Sequence, residues 1–156
     1  MVWMVNINKI LINILNIGKQ ICSKHILLQQ TDYTLEMYDT TSIPYSNKIY
    51  QEFLTKTKVV FFIYDITNLD SFKDIKNYNQ QIDENIPGVG KVLIGFNSEK
   101  ENRLVTAEEG KKLANELGID SFFEIPSNEV EKINEMLNII AAKKMFVEKN
   151  NSCLIM

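Results

Sequence analysis

Gly18 and Lys24 frame a segment, Gly18-Lys19-Gln20-Ile21-Cys22-Ser23-Lys24-His25, whose residue types suit phosphate chemistry. A loop of the form G-x-x-x-x-G-K-[ST] surrounds phosphate oxygens with backbone N–H groups, while its lysine supplies charge. Here Ser23 stands at the second glycine position, and His25 stands where a hydroxyl would bind Mg2+. The plainer reading of Lys24 is an exposed lysine at a helix start. Asp39, opening Asp39-Thr40-Thr41-Ser42, offers a hard carboxylate oxygen that reaches a magnesium ion through water, or else simply starts a turn. Phe96, at the end of an apolar run, either stacks on a base or packs. Cys22 lies close in sequence to Lys19 and Lys24, cations that favour a thiolate, but the plainer reading is a small buried residue. His25 is either a cation for phosphate or an incidental residue. None of these residues is assigned a catalytic role.

The last tetrapeptide carries a different chemistry. Cys153-Leu154-Ile155-Met156 has the C-a-a-X form in which a prenyl transferase joins an isoprenoid to the cysteine as a thioether, and a final Met favours farnesyl. Lys143, Lys144 and Lys149 against Glu148 leave two net positive charges beside it. They add about 2 kcal/mol of attraction to an anionic leaflet. One lipid chain with so few basic residues predicts reversible attachment.

Elements must hold these residues in place, and the chain has room for one domain. It has 156 residues, 45% hydrophobic and 24% charged, with a net charge of -3, which fits a globular protein and argues against a nucleic-acid footprint. Two cysteines, Cys22 and Cys153, exclude a disulfide framework and fit a reducing, cytosolic setting. The apolar start, interrupted by Asn6, Asn8, Asn13 and Asn16, is expected to be neither a signal peptide nor a membrane span.

Strand-length apolar runs fall at Ile10–Ile17, Thr34–Tyr38, Val59–Ile66, Val92–Gly95 and Ser121–Ile125. Helical patterns fall between them: Ser23–Gln30, Ser46–Leu54, Asp70–Asp83 with Phe72, Ile75, Tyr78 and Ile82 on one stripe, Thr106–Leu117, and Glu129–Phe146 with Ile133, Met136, Leu137, Ile140 and Ala141 on another. Thr106 and Glu109 form a capping box, and Gly118 is the C-terminal cap. Alternating strands and helices predict an α/β domain over residues 1–146, a mostly parallel sheet of about five strands with helices on both faces. A flexible tail is expected over 147–156.

In this order the segments resemble the Ras-like small GTPases. Leu35-Glu36-Met37-Tyr38-Asp39-Thr40-Thr41-Ser42 is similar to the family's strand and D-T-A-G turn. Lys58–Phe72 resembles the next strand and the serine–phenylalanine pair that opens a helix, Val92–Gly95 the strand before the guanine-reading loop, and Ala107–Gly118 the helix after it. The resemblance implies a three-layer phosphate-loop fold with GTP or GDP and Mg2+ as ligands. Its nucleotide positions fall on Gly18, Lys19, Gln20, Ile21, Cys22, Ser23, Lys24, His25, Asp39, Thr40, Thr41, Ser42, Ile43, Phe96, Asn97, Ser98 and Glu99, with Asp39 toward the metal.

Departures from the family pattern lie where its chemistry resides. The fifteen steps from Lys24 to Asp39 leave no room for an effector loop and an antiparallel strand, so the effector-loop region is expected to be deleted. Ile43 stands where the family carries the glutamine that orients attacking water, and Ser42 replaces the glycine that meets the γ-phosphate. Glu99 is one methylene longer than the aspartate that pairs with guanine, a change worth roughly tenfold to a hundredfold in affinity. Pro126-Ser127-Asn128 replaces S-A-K, and a proline has no N–H to donate. The alternation of Met1, Trp3, Val5 and Ile7 with Val2, Met4, Asn6 and Asn8 suggests a strand covering a bare sheet edge.

Together these readings predict a monomeric Ras-like signalling protein with impaired GTP binding and hydrolysis. A prenyl transferase would attach a prenyl group at Cys153, fixing the protein to the cytosolic leaflet, at the cytoplasmic face of the cell membrane. The alternative is an active GTP/GDP switch.

Overall fold

Four of the apolar runs read from the sequence, Thr34–Tyr38, Val59–Ile66, Val92–Gly95 and Ser121–Ile125, fall in strands of a single sheet. The computed structural model describes residues 2–8, 21–28, 31–39 and 54–152. Six strands, β1 (Val2–Asn8), β2 (Ile21–Leu28), β3 (Thr31–Asp39), β4 (Val59–Asp65), β5 (Gly90–Phe96) and β6 (Ser121–Ile125), lie in the order β2-β3-β1-β4-β5-β6. Among the described residues the helices are α1 (Leu69–Lys73), α2 (Ile75–Asn85), α3 (Ala107–Glu116) and α4 (Val130–Ser152), with helical residues also at 54–56. β4, β5 and β6 pair in parallel, whereas β1 is antiparallel to both β3 and β4, and β2 is antiparallel to β3.

Side chains alternate across a strand, so β4 feeds both faces. Val60, Phe62 and Tyr64, with Leu93 of β5, bury against Ile75, Ile82, Leu113 and Ala114 of α2 and α3. Val59, Phe61, Val92 and Ile94 bury on the other face against Met136, Leu137, Ile140 and Ala141 of α4. The predicted α/β class and its parallel strands between helix layers hold, and both predicted helical stripes face the core. The Thr106–Glu109 capping box is formed, and Gly118 turns the chain with φ +61. Below the sheet, Lys91 inserts its ammonium between Asn79, Asp83 and the Leu117 carbonyl, which satisfies a cation that is buried at the start of β5.

Several expectations need correction. Residues Ser23–Gln30 do not form the predicted helix; they fall largely in β2, which is paired along its length with β3 from Ile21↔Tyr38 to Leu28↔Thr31. Periodicity cannot separate strand from helix in so short an apolar run, and a helix that short is marginal without packing. The interval before Asp39 therefore does hold an antiparallel strand. The twelve residues between β1 and β2, 9–20, lie outside the described residues. The N-terminal strand lies inside the sheet between β3 and β4, not at its edge. The single helix expected over Asp70–Asp83 is two helices, abutting at Asp74. α4 runs to Ser152, past the predicted end at Phe146, because Val147–Asn151 contains neither glycine nor proline to stop it. The strand expected at Ile10–Ile17 and most of the helix expected at Ser46–Leu54 lie outside the described residues.

Candidate functional site

Ligands of open α/β sheets bind at the carboxyl ends of the parallel strands. β3 runs in the same direction as β4, since both oppose β1, so Asp39, Asp65, Phe96 and Ile125 end their strands along one edge. β2 begins at that edge, with Ile21 opposite Tyr38. β1 ends at the opposite edge, with Val5 level with Val59 at the start of β4.

The centre of the edge is a knot around Asp65. Its Oδ1 accepts from the Thr67 N–H at 2.8 Å and the Thr67 hydroxyl at 2.7 Å. Its Oδ2 accepts from the Asn97 amide at 2.8 Å. Burial raises the pKa of this carboxyl, but the Thr67 and Asn97 donors outweigh it and hold Asp65 below its ordinary range. Asn97 takes a left-handed backbone, φ 66, which asparagine tolerates better than most residues. Asn68 caps α1 by accepting from the N–H groups of Asp70 and Ser71.

Beside the knot, Glu99 meets Ser127 from the loop after β6. The Ser127 N–H donates to Glu99 Oε2 at 3.1 Å, and the Ser127 hydroxyl donates to Oε1. The hydroxyl bond is the main reason that the Glu99 carboxyl lies below its ordinary range. Pro126 has no N–H, so the first backbone donor after β6 is the one given to Glu99. The Ser98 N–H reaches the Ile125 carbonyl at 3.3 Å, a second tie between the two loops. Farther along, Arg103 holds Glu124 through two hydrogen bonds of 2.6 and 3.0 Å.

The sequence-predicted positions divide accordingly. Asn97, Ser98 and Glu99 converge on this edge, with Asp39 ending β3 farther along it. Phe96 is half-buried against the α4 face, which decides between its two readings in favour of packing. Ile21, Cys22, Ser23, Lys24 and His25 lie on β2, with Lys24 opposite Leu35. His25 is exposed, and its Nδ1 lies 3.2 Å from the Thr34 hydroxyl. The lysine and histidine therefore do not open a helix. Gly18, Lys19, Gln20, Thr40, Thr41, Ser42, Ile43 and Cys153 lie outside the described residues. Among the described residues, no three His, Cys, Asp or Glu side chains form a metal-binding group, and no helix is long and apolar enough to cross a membrane. Sequence reading passed over Asp65 and Thr67, although an Asp followed two residues later by Thr is an Asx-turn signal. The Arg103–Glu124 pair left no local signal.

A sequence profile of the Ras family matches residues 12–146. The chain belongs to the Ras family. Among Ras-family relatives, it is 30% identical over 132 residues to Ras-related protein Rab-44 of Mus musculus, covering 83% of this chain and 14% of that one. It is 29% identical over 119 residues to Ras-related protein SEC4 of Saccharomyces cerevisiae, covering 76% of this chain and 54% of the relative. To Ras-related protein Rab-15 of Homo sapiens it is 31% identical over 112 residues, 70% of this chain and 53% of the relative. It thus spans about half the length of SEC4 and Rab-15 and about a seventh of Rab-44. Ras-family members bind GTP or GDP with Mg2+. In this Ras-family chain Glu99, in the loop after β5, and the first backbone donor after β6 are bonded to each other.

Proposed function

We propose that this Ras-family chain is a membrane-anchored signalling protein that acts through its surface as an adaptor, with impaired GTP binding and hydrolysis. The observation that carries the reading is β2: Ile21–His25 runs as strand, so Lys24 sits in a sheet ladder instead of at the N-terminus of a helix. A phosphate site of the family's kind draws on the free N–H groups and positive dipole end of a helix start. Strand N–H groups paired with β3 do not supply them. Ile43 in place of a water-orienting glutamine and His25 in place of a magnesium-binding hydroxyl point the same way.

The membrane half of the proposal rests on Cys153-Leu154-Ile155-Met156. A C-a-a-X sequence acts at a free C-terminus, so this part applies to a gene product that ends at Met156. A prenyl transferase would be the first partner, and the cytosolic leaflet the second.

Phosphate release from GTP by the purified chain, followed over hours with and without Mg2+, tests the catalytic half. Turnover equal to buffer is the expected result. Magnesium-dependent release abolished by Lys24→Ala would instead make the chain an active switch.

A further inference from the structure

We propose that the segment Ile10–Ile17 is a second claimant for the place that β1 holds in the sheet, and that exchange of the two is a conformational device built into this chain. The slot lies between β3 and β4, which run in the same direction, and β1 fills it in the opposite sense. β1 also lies outside the part of the chain that matches the Ras family, which begins at residue 12. A strand in the middle of a covered sheet reads as a near-continuous apolar run. Val2–Asn8 is interrupted only by Asn6 and Asn8, and Ile10–Ile17 only by Asn13 and Asn16. Either composition suits the slot. β1 leaves it at the edge where β3 and β4 begin, with Asn8 opposite Thr34 and Val5 opposite Val59. The next segment would therefore enter at that same edge, run parallel to both neighbours, and deliver Ile17 to the edge where Asp39 and Asp65 end their strands. From there the start of β2 is two strand spacings away, roughly 10 Å. The chain from 17 to 21 reaches about 13 Å, so β2 keeps its pairing with β3. Parallel ladders are slightly weaker per residue than antiparallel ones, which makes β1 the resident strand. With β1 in place the chain leaves the slot at the edge away from the ligand side; after exchange Gly18-Lys19-Gln20 would cross the end of β3 beside Asp39. Strand exchange thus sets whether this glycine and lysine stand at the ligand edge.

Proline substitutions in the full chain test the exchange. Val5 is paired on both sides, with Met37 and Val59, and a proline there removes a ladder donor and does not fit a central strand. Val5→Pro should still melt cooperatively, because Ile10–Ile17 takes the slot, and Ile14→Pro should do so because β1 keeps it. The double variant should lose the cooperative transition. Hydrogen exchange read by mass spectrometry should show residues 10–17 of Val5→Pro about tenfold slower than in wild type, with 2–8 faster and β3 and β4 unchanged. A single variant that unfolds as fully as the double one, a double variant that melts like wild type, or unchanged exchange over 10–17 in Val5→Pro would overturn the proposal.

Discussion

Arg103 grips Glu124 with two hydrogen bonds from one guanidinium and donates a third, at 3.1 Å, to the Val105 carbonyl, joining the chain after β5 to strand β6. Neither side chain is more than 28% exposed. Paired, planar groups of this kind suit arginine and not lysine. Arg103→Ala leaves Glu124 without its partner and should cost about 2 kcal/mol in urea unfolding, with Arg103→Lys recovering only part. A loss below about 0.5 kcal/mol would mean that solvent replaces the pair.

Tyr64 presents the opposite case, a buried hydroxyl with no partner among the described residues. Burial drives its pKa well above the ordinary tyrosine value. Tyr64→Phe removes an unsatisfied polar atom and should be neutral or stabilise by about 1 kcal/mol. Gly110→Ala should destabilise by roughly 1–3 kcal/mol, because its Cβ would come within 2.5 Å of the Tyr64 oxygen and 2.7 Å of Phe122 Cζ. Thermal melts of both variants check the pair. A Tyr64→Phe variant clearly less stable than wild type would show that the hydroxyl has a partner.

Much of this arrangement was legible because it is local. The stripe through Phe72, Ile75, Tyr78 and Ile82, the Thr106–Glu109 box and strand Ser121–Ile125 each follow from neighbours a few residues apart. β2 was not legible: its eight residues carry no alternation, and their state is set by pairing with β3. The Glu99–Ser127 and Arg103–Glu124 contacts span 28 and 21 positions and depend on the sheet bringing two loops together. The family resemblance identified the loops, but not the bond between them.

Acid should weaken the fold through Asp65 and Glu99. Both carboxyls lie below their ordinary values of 3.8 and 4.5 in the folded chain. The unfolded chain therefore binds their protons first as pH falls, and stability drops. Their contribution is complete above the unfolded values and is lost progressively below about pH 4.5. Asn97→Ala removes one donor to Asp65 and should flatten this loss. Urea midpoints at pH 6, 4.5 and 3 measure it; a wild-type midpoint constant across that range would contradict the assignment.

Cys153 should carry one isoprenoid in cells, with Leu154–Met156 removed and the protein in the membrane fraction. α4 reaches Ser152, so the tetrapeptide follows directly on helix. Cys153→Ser should become soluble. Because a single lipid anchors reversibly, neutralising Lys143, Lys144 and Lys149 should move part of the prenylated pool into the soluble fraction. Intact mass and fractionation report both effects. Identical behaviour of wild type and Cys153→Ser, with no isoprenoid on either, would remove the membrane half of the account.

Titration of the purified chain with fluorescently labelled GTP, GDP and ATP, each with and without Mg2+, tests the central claim most directly. A Ras-family chain with Lys24 in a strand ladder and Glu99 bonded to Ser127 should bind all three weakly, without preference for guanine and without a magnesium requirement. Nanomolar, magnesium-dependent binding of GTP and GDP but not ATP would contradict it.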